Sequence, residues 1–404
     1  MNQLPGKNPF RPGVGTRPPY LAGRDLPLRR FDSMLRAAPE QPANMRLTGL
    51  RGVGKTVLLQ EFADRATRAG WATGSLELGP GHNTDDGITR AVTQVAEQAR
   101  HRISKMARLR AVVGDAVRAA GTFSVTLSDV TLAIDPASRG AGSESIAKIL
   151  LELCELALGK GMSGIVLLLD EAQVIRDDRD RHGDHPLSIL IASVVALQRQ
   201  LLPIGLVLCG LPTLTGNLLK ARSYTERMFR AEEIGSLERI EACRALTEPL
   251  KDGAVDITQE VVDRVVDEVE GYPYFVQLWG AELWDAAHHA STSQINSVTF
   301  DATTDEVYRR LDLEFYEPRI STLTPAEQDL LLATAAAPTY PPLLVSEINE
   351  VSDKSAGNIN VLLGRMVESG VIYRVRKGQY DYTAPKFRQY LLRRAKKANW
   401  HPSP

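Results

Sequence analysis

Eight consecutive residues, Gly49 to Thr56, constrain the fold of this chain more than any other stretch. They read Gly-Leu-Arg-Gly-Val-Gly-Lys-Thr and fit G-x-x-x-x-G-K-[ST], the pattern of a phosphate-binding loop or Walker A motif. A short strand is predicted before them at 44–48, and an apolar-periodic helix after them at 57–63. The order matters because glycines let backbone N–H groups turn toward phosphate oxygens, and a helix N-terminus adds partial positive charge. The flanking strand and helix disfavour the alternative, a glycine-rich turn with an incidental lysine.

Nucleotide binding is therefore assigned to this loop and to the residue after it. The predicted contacts are Gly49, Leu50, Arg51, Gly52, Val53, Gly54, Lys55, Thr56 and Val57. Lys55 is expected to reach the β- and γ-phosphates, and the Thr56 hydroxyl to bind Mg²⁺. ATP and Mg²⁺ are the cofactors that the loop predicts.

A second firm signal is the run from Gly164 to Glu171, Gly-Ile-Val-Leu-Leu-Leu-Asp-Glu. An apolar run without alternation is typical of a strand buried on both faces in a parallel sheet. Asp170 at its end is predicted to contact the nucleotide site and to hold Mg²⁺ through water. Glu171 is predicted to orient and deprotonate the attacking water. The alternative is a buried strand followed by an ordinary polar turn.

Two further candidates follow the next predicted buried strand, at 204–210. In a P-loop ATPase the tip of this strand faces the γ-phosphate, which makes Thr213 a candidate polar sensor; the alternative is a threonine that caps a helix or turn. A short helix predicted at 223–230 carries Arg227, which could offset transition-state charge in its own subunit or in a neighbour's. Arg230 is the alternate, and a surface arginine is the other interpretation of each.

Three other segments were assigned without a catalytic role. Residues 122–134 alternate and are rich in β-branched residues, which predicts a hairpin. The charged loop 176–185 contains His182 and His185, and the lack of nearby cysteines or further histidines favours a solvated loop over a metal site. The Pro- and Gly-rich residues 8–19 predict either a disordered leader or an extended arm packed over the nucleotide base.

From residue 234 the pattern is wholly helical, with helices predicted at 239–250, 258–270 and 273–290. Gly271 ends one helix and Pro273 begins the next, as glycine and proline commonly do at these positions. The aromatic residues around them could pack on the adenine or on the hydrophobic core.

The C-terminal part predicts helices at 324–336, 345–351 and 355–368, two strands around a tight turn, and a closing helix at 386–397. This is the element order of a winged helix-turn-helix, which can bind duplex DNA through 355–397. The stretch 365–397 contains only two acidic residues, Glu368 and Asp381. Its ten basic residues are Arg365, Arg374, Arg376, Lys377, Lys386, Arg388, Arg393, Arg394, Lys396 and Lys397. The alternative is a protein-interaction or autoinhibitory domain whose basic face is only solvated.

Composition limits the remaining possibilities. The formal net charge is −1, so the chain as a whole has no polyanion-binding character. The isolated Cys154, Cys209 and Cys243 lack metal spacing and predict buried free thiols of a reducing compartment. No apolar run is long enough to cross a membrane, and no signal sequence is evident at the N-terminus, which predicts a cytoplasmic protein.

The order of these features resembles the AAA+/STAND side of the P-loop ATPases, and in particular the bacterial and archaeal ATPases related to origin-recognition initiators. The resemblance covers roughly residues 9–397 and implies an α/β P-loop NTPase core with a parallel sheet, a helical lid and a C-terminal winged helix-turn-helix. It divides the chain into an arm at 1–20, an ATPase core at 21–233, a lid at 234–317 and a winged helix at 318–398. It also implies that the turn around Arg24 lies near the adenine.

One departure from the initiators affects the predicted function. Their lids carry a sensor arginine, whereas Gly271 to Tyr274 is more similar to the Gly-x-Pro lid motif of signal-transduction ATPases, which places Pro273 at the nucleotide. The sequence therefore predicts a slow ATP-dependent switch, with ATP or ADP as ligand and itself or a signalling protein as possible partner. The alternative is a DNA-binding initiator or transposition helper. A small-molecule kinase is disfavoured, because no substrate pocket or lid arginines can be found.

Overall fold

The structure is a computed structural model that describes residues 7–13, 15–118, 142–177, 184–221, 225–251, 253 and 255–397. The predicted hairpin at 122–134 and His182 lie outside these residues. The chain divides into two compact units. The core unit comprises residues 25–49 and 55–233, and the second unit comprises residues up to 24, 50–54 and those from 234 onward. The domain boundaries drawn from the sequence remain predictions.

The core unit contains a five-stranded parallel sheet with strand order β2-β3-β4-β1-β5. Its strands are β1 (Ala43–Thr48), β2 (Trp71–Glu77), β3 (Gly164–Asp170), β4 (Ile204–Gly210) and β5 (Arg230–Glu233). Every residue of β3 and β4 is buried, as their continuous apolar sequences predict. Because all five strands run in parallel, the residues that follow β1, β3 and β4 emerge at the same edge of the sheet.

Helices cover the sheet of the core unit. They are α1 (Asp25–Ala37), α2 (Lys55–Arg68), α3 (Asp85–Arg118), α4 (Gly142–Gly159), α5 (Pro186–Gln198), α6 (Thr213–Ala221) and α7 (Thr225–Met228). An apolar cluster joins α3, α4 and α5 to the strands, with Ile88, Leu150 and Leu190 wholly buried. Burying such side chains stabilises the fold by about 1.5–3 kcal/mol each.

The structure corrects the predicted arginine helix. Arg230 was expected on a helix, but it begins the edge strand β5, where it is exposed and its Nε lies 3.8 Å from Glu232 Oε1. A one-residue break after α7 is enough to change the element, because β5 gains hydrogen bonds from β1 that the local sequence does not reveal. The cysteine prediction needs a smaller correction, since Cys154 and Cys209 are buried but Cys243 is only half-buried.

The second unit begins with the helices α8 (Arg239–Thr247), α9 (Gln259–Val269), α10 (Pro273–His289), α11 (Ser297–Arg310) and α12 (Glu317–Ser321). The prediction of a wholly helical segment was wrong in one detail. A short parallel pair, β6 (Asp256–Ile257) and β7 (Gln294–Ile295), ties together the loops before α9 and α11. Two-residue strands are set by the meeting of distant loops, so periodicity does not signal them.

The N-terminal arm is ordered against α10. The side-chain amide of Asn8 donates to the Ala281 carbonyl at 3.0 Å and to Asp285 Oδ1 at 2.9 Å. Phe10 is buried over Gly280, where a Cβ would overlap its ring. The disordered-leader interpretation is therefore wrong for the described part of the arm, which is extended and packed.

The C-terminal part contains the helices and the hairpin that the winged-helix prediction requires. Its elements are α13 (Pro325–Ala335), β8 (Leu343–Leu344), α14 (Val345–Glu350), α15 (Ala356–Glu368), β9 (Ile372–Arg376), β10 (Gln379–Tyr382) and α16 (Phe387–Lys397). The strands form a small sheet in the order β8-β10-β9. At the start of α13, Thr324 and Glu327 form a capping box, with each side chain accepting from the other's backbone N–H.

Candidate nucleotide site

The glycine-rich loop connects β1 to α2 in the conformation that its glycines permit. Gly52 and Gly54 have φ angles of 81° and 89°, in the region that disfavours side chains. Helix α2 begins at Lys55, so the loop runs directly into a helix N-terminus. Unpaired N–H groups and the helix dipole make such a terminus a binding site for phosphate.

Lys55 is held at the base of the loop within the core unit. Its side chain is buried at 7% exposure, and Nζ donates to the Gly49 carbonyl at 3.0 Å. Gly49 in turn donates its N–H to the Gly210 carbonyl at 3.2 Å, which attaches the loop to the end of β4. A buried ammonium group favours an anionic partner, because desolvation makes an uncompensated charge costly. Val57, the third residue of α2, is also buried and packs rather than points into solvent.

Thr56 and Asp170 come together at the carboxyl edge of the sheet. The Thr56 hydroxyl donates to Asp170 Oδ2 at 2.7 Å, although the two residues are 114 positions apart. Asp170 ends β3 and is buried at 6% exposure. A hydroxyl and a carboxylate oxygen at one point are hard oxygen ligands of the kind that Mg²⁺ prefers, so the donor set fits the predicted metal.

Glu171 follows in a left-handed backbone conformation with φ of 52°, which is uncommon for a residue other than glycine. Its N–H donates to Asp170 Oδ1 at 2.8 Å. Its carboxylate accepts a hydrogen bond from the Gln173 side-chain amide. Gln173 Oε1 accepts from the Leu211 N–H at 2.9 Å, so this side chain links Glu171 to the tip of β4. Sequence reasoning missed Gln173, because a lone glutamine after two carboxylates carries no recognisable pattern.

A cavity of about 250 Å³ opens beside Thr56 and Asp170 within the core unit. Thr56 and Asp170 line it together with other polar residues, among them Gln60, Glu77 and Arg102. Glu77 ends β2 in register with Asp170, so a second carboxylate reaches the same edge of the sheet. Sequence reasoning did not single it out, since the pairing of β2 with β3 is a tertiary fact.

Arg24 contacts the glycine-rich loop within the second unit. Its guanidinium donates through Nη2 to the Val53 carbonyl at 2.9 Å and to the Gly235 carbonyl at 2.8 Å. Burial lowers the pKa of Arg24, opposed by the nearby Glu241 carboxylate. The sequence indicated a Gly-Arg-Asp turn here but assigned Arg24 no contact with the loop.

Tyr272 reaches the same loop from the turn before α10. Its hydroxyl donates to the Arg51 carbonyl, and its ring packs on Phe275 and Phe315 with centroid distances of 4.9 and 5.6 Å. Burial raises the pKa of Tyr272 to about 12, against the positive charges of Arg319 and Arg51, so the hydroxyl keeps its proton near neutral pH. Of the two interpretations left open for these aromatics, packing in the core describes Tyr272.

The remaining predicted residues are placed as follows. Pro273 is half-buried as the first residue of α10, and Thr213 is exposed as the first residue of α6. Arg227 is exposed on α7. The assignment of Thr213, Arg227 and Pro273 to the site rests on their positions in the chain.

The basic surface predicted in the C-terminal part is smaller than its sequence suggests. Arg388 donates to the Ala335 and Ala337 carbonyls, while Arg393 pairs with Asp312. Two more of the ten basic residues, Lys386 and Arg394, form ion pairs with glutamates of the second unit. The exposed cations are Arg365 on α15, Arg374, Arg376 and Lys377 at the β9–β10 turn, and Lys396 and Lys397 at the end of α16.

Two properties of the described residues bear on other classes of site. No described helix is both long enough and apolar enough to cross a membrane. Within the same described ranges, His, Cys, Asp and Glu side chains form no group of three or more arranged to hold a metal ion. The Mg²⁺ assignment therefore depends on the hydroxyl and carboxylate already described, together with a bound nucleotide.

Comparison with known families identifies the core. The family model described as "AAA ATPase domain" matches residues 20–207, which include the glycine-rich loop, Asp170 and Glu171. Residues 20–207 are an AAA ATPase domain. A second model, described as a domain of unknown function (DUF8462), matches residues 313–391 in the C-terminal part. No functionally curated protein matches the chain.

Solved structures share the fold of this chain over nearly its whole length. The Walker-type ATPase of Pyrococcus abyssi is 16% identical with a TM-score of 0.58, covering 95% of this chain and 98% of that one. The ORC2 protein of Aeropyrum pernix, solved in ADPNP–ADP complexes, is 11% identical with a TM-score of 0.56, covering 95% and 97%. The predicted α/β P-loop fold and the resemblance to origin-recognition ATPases are thus confirmed at the level of fold.

Proposed function

We propose that this AAA ATPase binds Mg-ATP on the loop 49–56 and hydrolyses it slowly, as a nucleotide-dependent switch. The observation that carries the proposal is the hydrogen bond between Thr56 and the buried Asp170, beside the buried ammonium group of Lys55. The Thr56 hydroxyl, the Asp170 carboxylate and the Lys55 ammonium group lie near the ends of the strands β1 and β3. These groups suit the binding of a nucleoside triphosphate and its metal ion.

The residues divide the chemistry as follows. Mg²⁺, when bound, would neutralise phosphate charge, and Thr56 and Asp170 would hold it. Lys55 binds phosphate oxygens, and the loop N–H groups with the α2 N-terminus orient them. Glu171 accepts the proton of the attacking water, since it is the carboxylate directly after Asp170 and its backbone is hydrogen-bonded to it. Arg227, exposed on α7, supplies positive charge to the γ-phosphate of its own or a neighbouring subunit, and Thr213 and Pro273 contact the nucleotide.

Slow turnover follows from two features. The Glu171 carboxylate already accepts a hydrogen bond from Gln173, and this bond has to be exchanged for one from water before Glu171 acts as a base. The turn from Gly271 to Tyr274 contains no arginine that would neutralise charge in the transition state.

Steady-state hydrolysis by the purified protein tests this function. We expect phosphate release from Mg-ATP to be measurable but slow, below the 1 s⁻¹ or so at which many phosphoryl-transfer enzymes begin. Chelation of Mg²⁺ by EDTA is expected to abolish it, and readdition of Mg²⁺ to restore it. Calorimetry with Mg-ADP measures binding independently of turnover. A protein that binds neither Mg-ATP nor Mg-ADP would rule the function out.

A second candidate function is binding to duplex DNA, which the exposed cations of the C-terminal part favour. Arg374, Arg376 and Lys377 lie at the turn of a hairpin, and Arg365 lies on α15, the third helix of the proposed winged helix. Asn358 is also exposed on α15, seven positions before Arg365 and therefore on the same side of the helix, and its amide is suited to hydrogen bonds with base edges. The initiator or transposition-helper alternative rests on this surface.

Reversing two of these charges, with Arg374→Glu and Arg376→Glu together, tests the DNA candidate. We expect at least about a tenfold loss of duplex affinity at low salt. The slope of log affinity against log salt concentration should also become shallower, by the amount expected for the loss of about two phosphate contacts. Fluorescence anisotropy with a labelled duplex over a series of salt concentrations measures both quantities.

The matched control reverses two exposed charges outside this surface, Arg199→Glu with Lys251→Glu, and so produces the same change in net charge. Equal losses in the two double variants would indicate a general electrostatic effect and would remove the hairpin as the contact. If duplex DNA also stimulates hydrolysis, the core and the C-terminal part act together. Hydrolysis indifferent to DNA would favour a protein partner for the switch.

A further inference from the structure

Two donors from outside the glycine-rich loop hold alternate carbonyl groups of that loop. The Tyr272 hydroxyl donates to the carbonyl of Arg51, and Nη2 of Arg24 donates to the carbonyl of Val53. Both donors are buried, at 2% exposure for Tyr272 and 7% for Arg24. All of these residues belong to the second unit, which includes the loop residues 50–54.

Hydrogen bonds and packing fix the position of the Tyr272 side chain. Gly271 has a φ of 72°, and its carbonyl accepts a hydrogen bond from the Leu237 N–H at 2.7 Å. The Tyr272 N–H donates to the Val269 carbonyl at 2.8 Å. The ring then packs against both Phe275 and Phe315, which also contact each other. On the loop side, a Cβ at Gly52 would overlap the Tyr272 hydroxyl, so Gly52 is needed for this approach as well as for its φ of 81°.

The direction of a carbonyl determines the direction of the next N–H. In a trans peptide unit the C=O of one residue and the N–H of the following residue point in opposite directions. A carbonyl of Arg51 that faces Tyr272 therefore turns the N–H of Gly52 away from it, and a carbonyl of Val53 that faces Arg24 does the same for Gly54. These N–H groups belong to the set that cradles phosphate in a loop of this type.

We infer that Tyr272 and Arg24 are positioning residues for phosphate binding, which hold the 51–52 and 53–54 peptide units so that their N–H groups face the phosphates. The inference rests on the proposed nucleotide function and assigns to two residues outside the motif the task of keeping the loop ready for ligand. Preorganised donors cost less to order when the ligand binds, and this is how the two residues increase affinity. Through Tyr272, the inference also links the turn before α10 to phosphate binding at the loop.

Tyr272→Phe tests the inference, because it removes only the hydroxyl and leaves the ring packed against Phe275 and Phe315. We expect the Kd of Mg-ADP and of Mg-ATP to rise by about fivefold, the usual effect of one neutral hydrogen bond. The Kd of adenosine, measured by competition, is expected to stay unchanged, because adenosine has no phosphate for the loop to bind. In hydrolysis KM should rise while kcat is retained, since ground state and transition state lose the same contact.

Tyr274→Phe is the matched control, as it makes the same substitution two residues away on a half-buried ring that stacks on Phe315 at 5.5 Å. It is expected to change none of these constants. Arg24→Lys is a second, independent variant that keeps the charge but loses the planar fork, and it should show the same phosphate-dependent loss even if Tyr272→Phe were to unfold.

Three outcomes are distinguishable. Unchanged ADP affinity in both Tyr272→Phe and Arg24→Lys would overturn the inference while leaving the proposed function intact. Equal losses for ADP and adenosine would also overturn it, because the residues would then only shape the surroundings of the base. A wild-type protein that binds no nucleotide would remove the proposed function and this inference with it.

Discussion

Replacing Lys55 with alanine is expected to abolish nucleotide binding at concentrations where the wild-type protein is saturated. The ammonium group is buried at the start of α2, where its Nζ donates to the Gly49 carbonyl at 3.0 Å. Loss of a charge-assisted hydrogen bond to phosphate costs about 3 kcal/mol, which is roughly a hundredfold in Kd. Calorimetry with Mg-ATP and Mg-ADP measures the change directly.

Lys251→Ala is the control for this variant, because Lys251 is an exposed lysine that pairs with Glu248 in the second unit. It should bind nucleotide as the wild type does. Circular dichroism and thermal unfolding then show whether Lys55→Ala remains folded. A folded Lys55→Ala protein with wild-type affinity for Mg-ATP would contradict the assignment of the loop.

The second large effect is expected for Glu171→Gln, which keeps the size and hydrogen-bonding capacity of the side chain but removes its ability to accept a proton. Hydrolysis should fall by about 10²–10⁴-fold, the usual contribution of a general base. Affinity for Mg-ATP should persist, because Thr56, Asp170 and Lys55 are unchanged. Single-turnover hydrolysis and a parallel binding measurement separate the two effects.

Glu77→Gln is the informative comparison, since Glu77 is the other carboxylate at this edge of the sheet and lies in register with Asp170. We expect it to retain most of the hydrolysis. If Glu77→Gln lost hydrolysis and Glu171→Gln kept it, the base would be Glu77. In that case the hydrogen bond from Gln173 would mark Glu171 as a structural residue.

The core of the ATPase could be predicted because its signals are local. A glycine-rich loop between a strand and a helix, and an apolar run ending in two carboxylates, each occupy fewer than ten consecutive residues. The buried strands β3 and β4 follow from their continuous apolar sequences, and parallel pairing follows from the alternation of strands with helices. Thr56 and Asp170 could be named as partners before the structure, since both follow from motifs at strand ends.

Features that depend on the meeting of distant segments could not be predicted. Periodicity predicted the helices of the second unit but missed the β6–β7 pair, and local sequence placed Arg230 on a helix rather than on the edge strand β5. The same limit applies to charge. Ten cations within about thirty residues read as one basic surface, yet four of them bind carbonyls or carboxylates of the protein itself.

The sequence by itself determined the fold class and the identity of the phosphate loop, because both are written in short stretches whose backbone geometry depends on residue type. Only the tertiary structure decided what surrounds that loop. Arg24 and Tyr272 lie 29 and 221 positions from the carbonyls they hold, and Gln173 reaches Leu211 across 38 positions. Hydrogen bonds of this span form only when distant parts of the chain pack together, so no local sequence pattern predicts them.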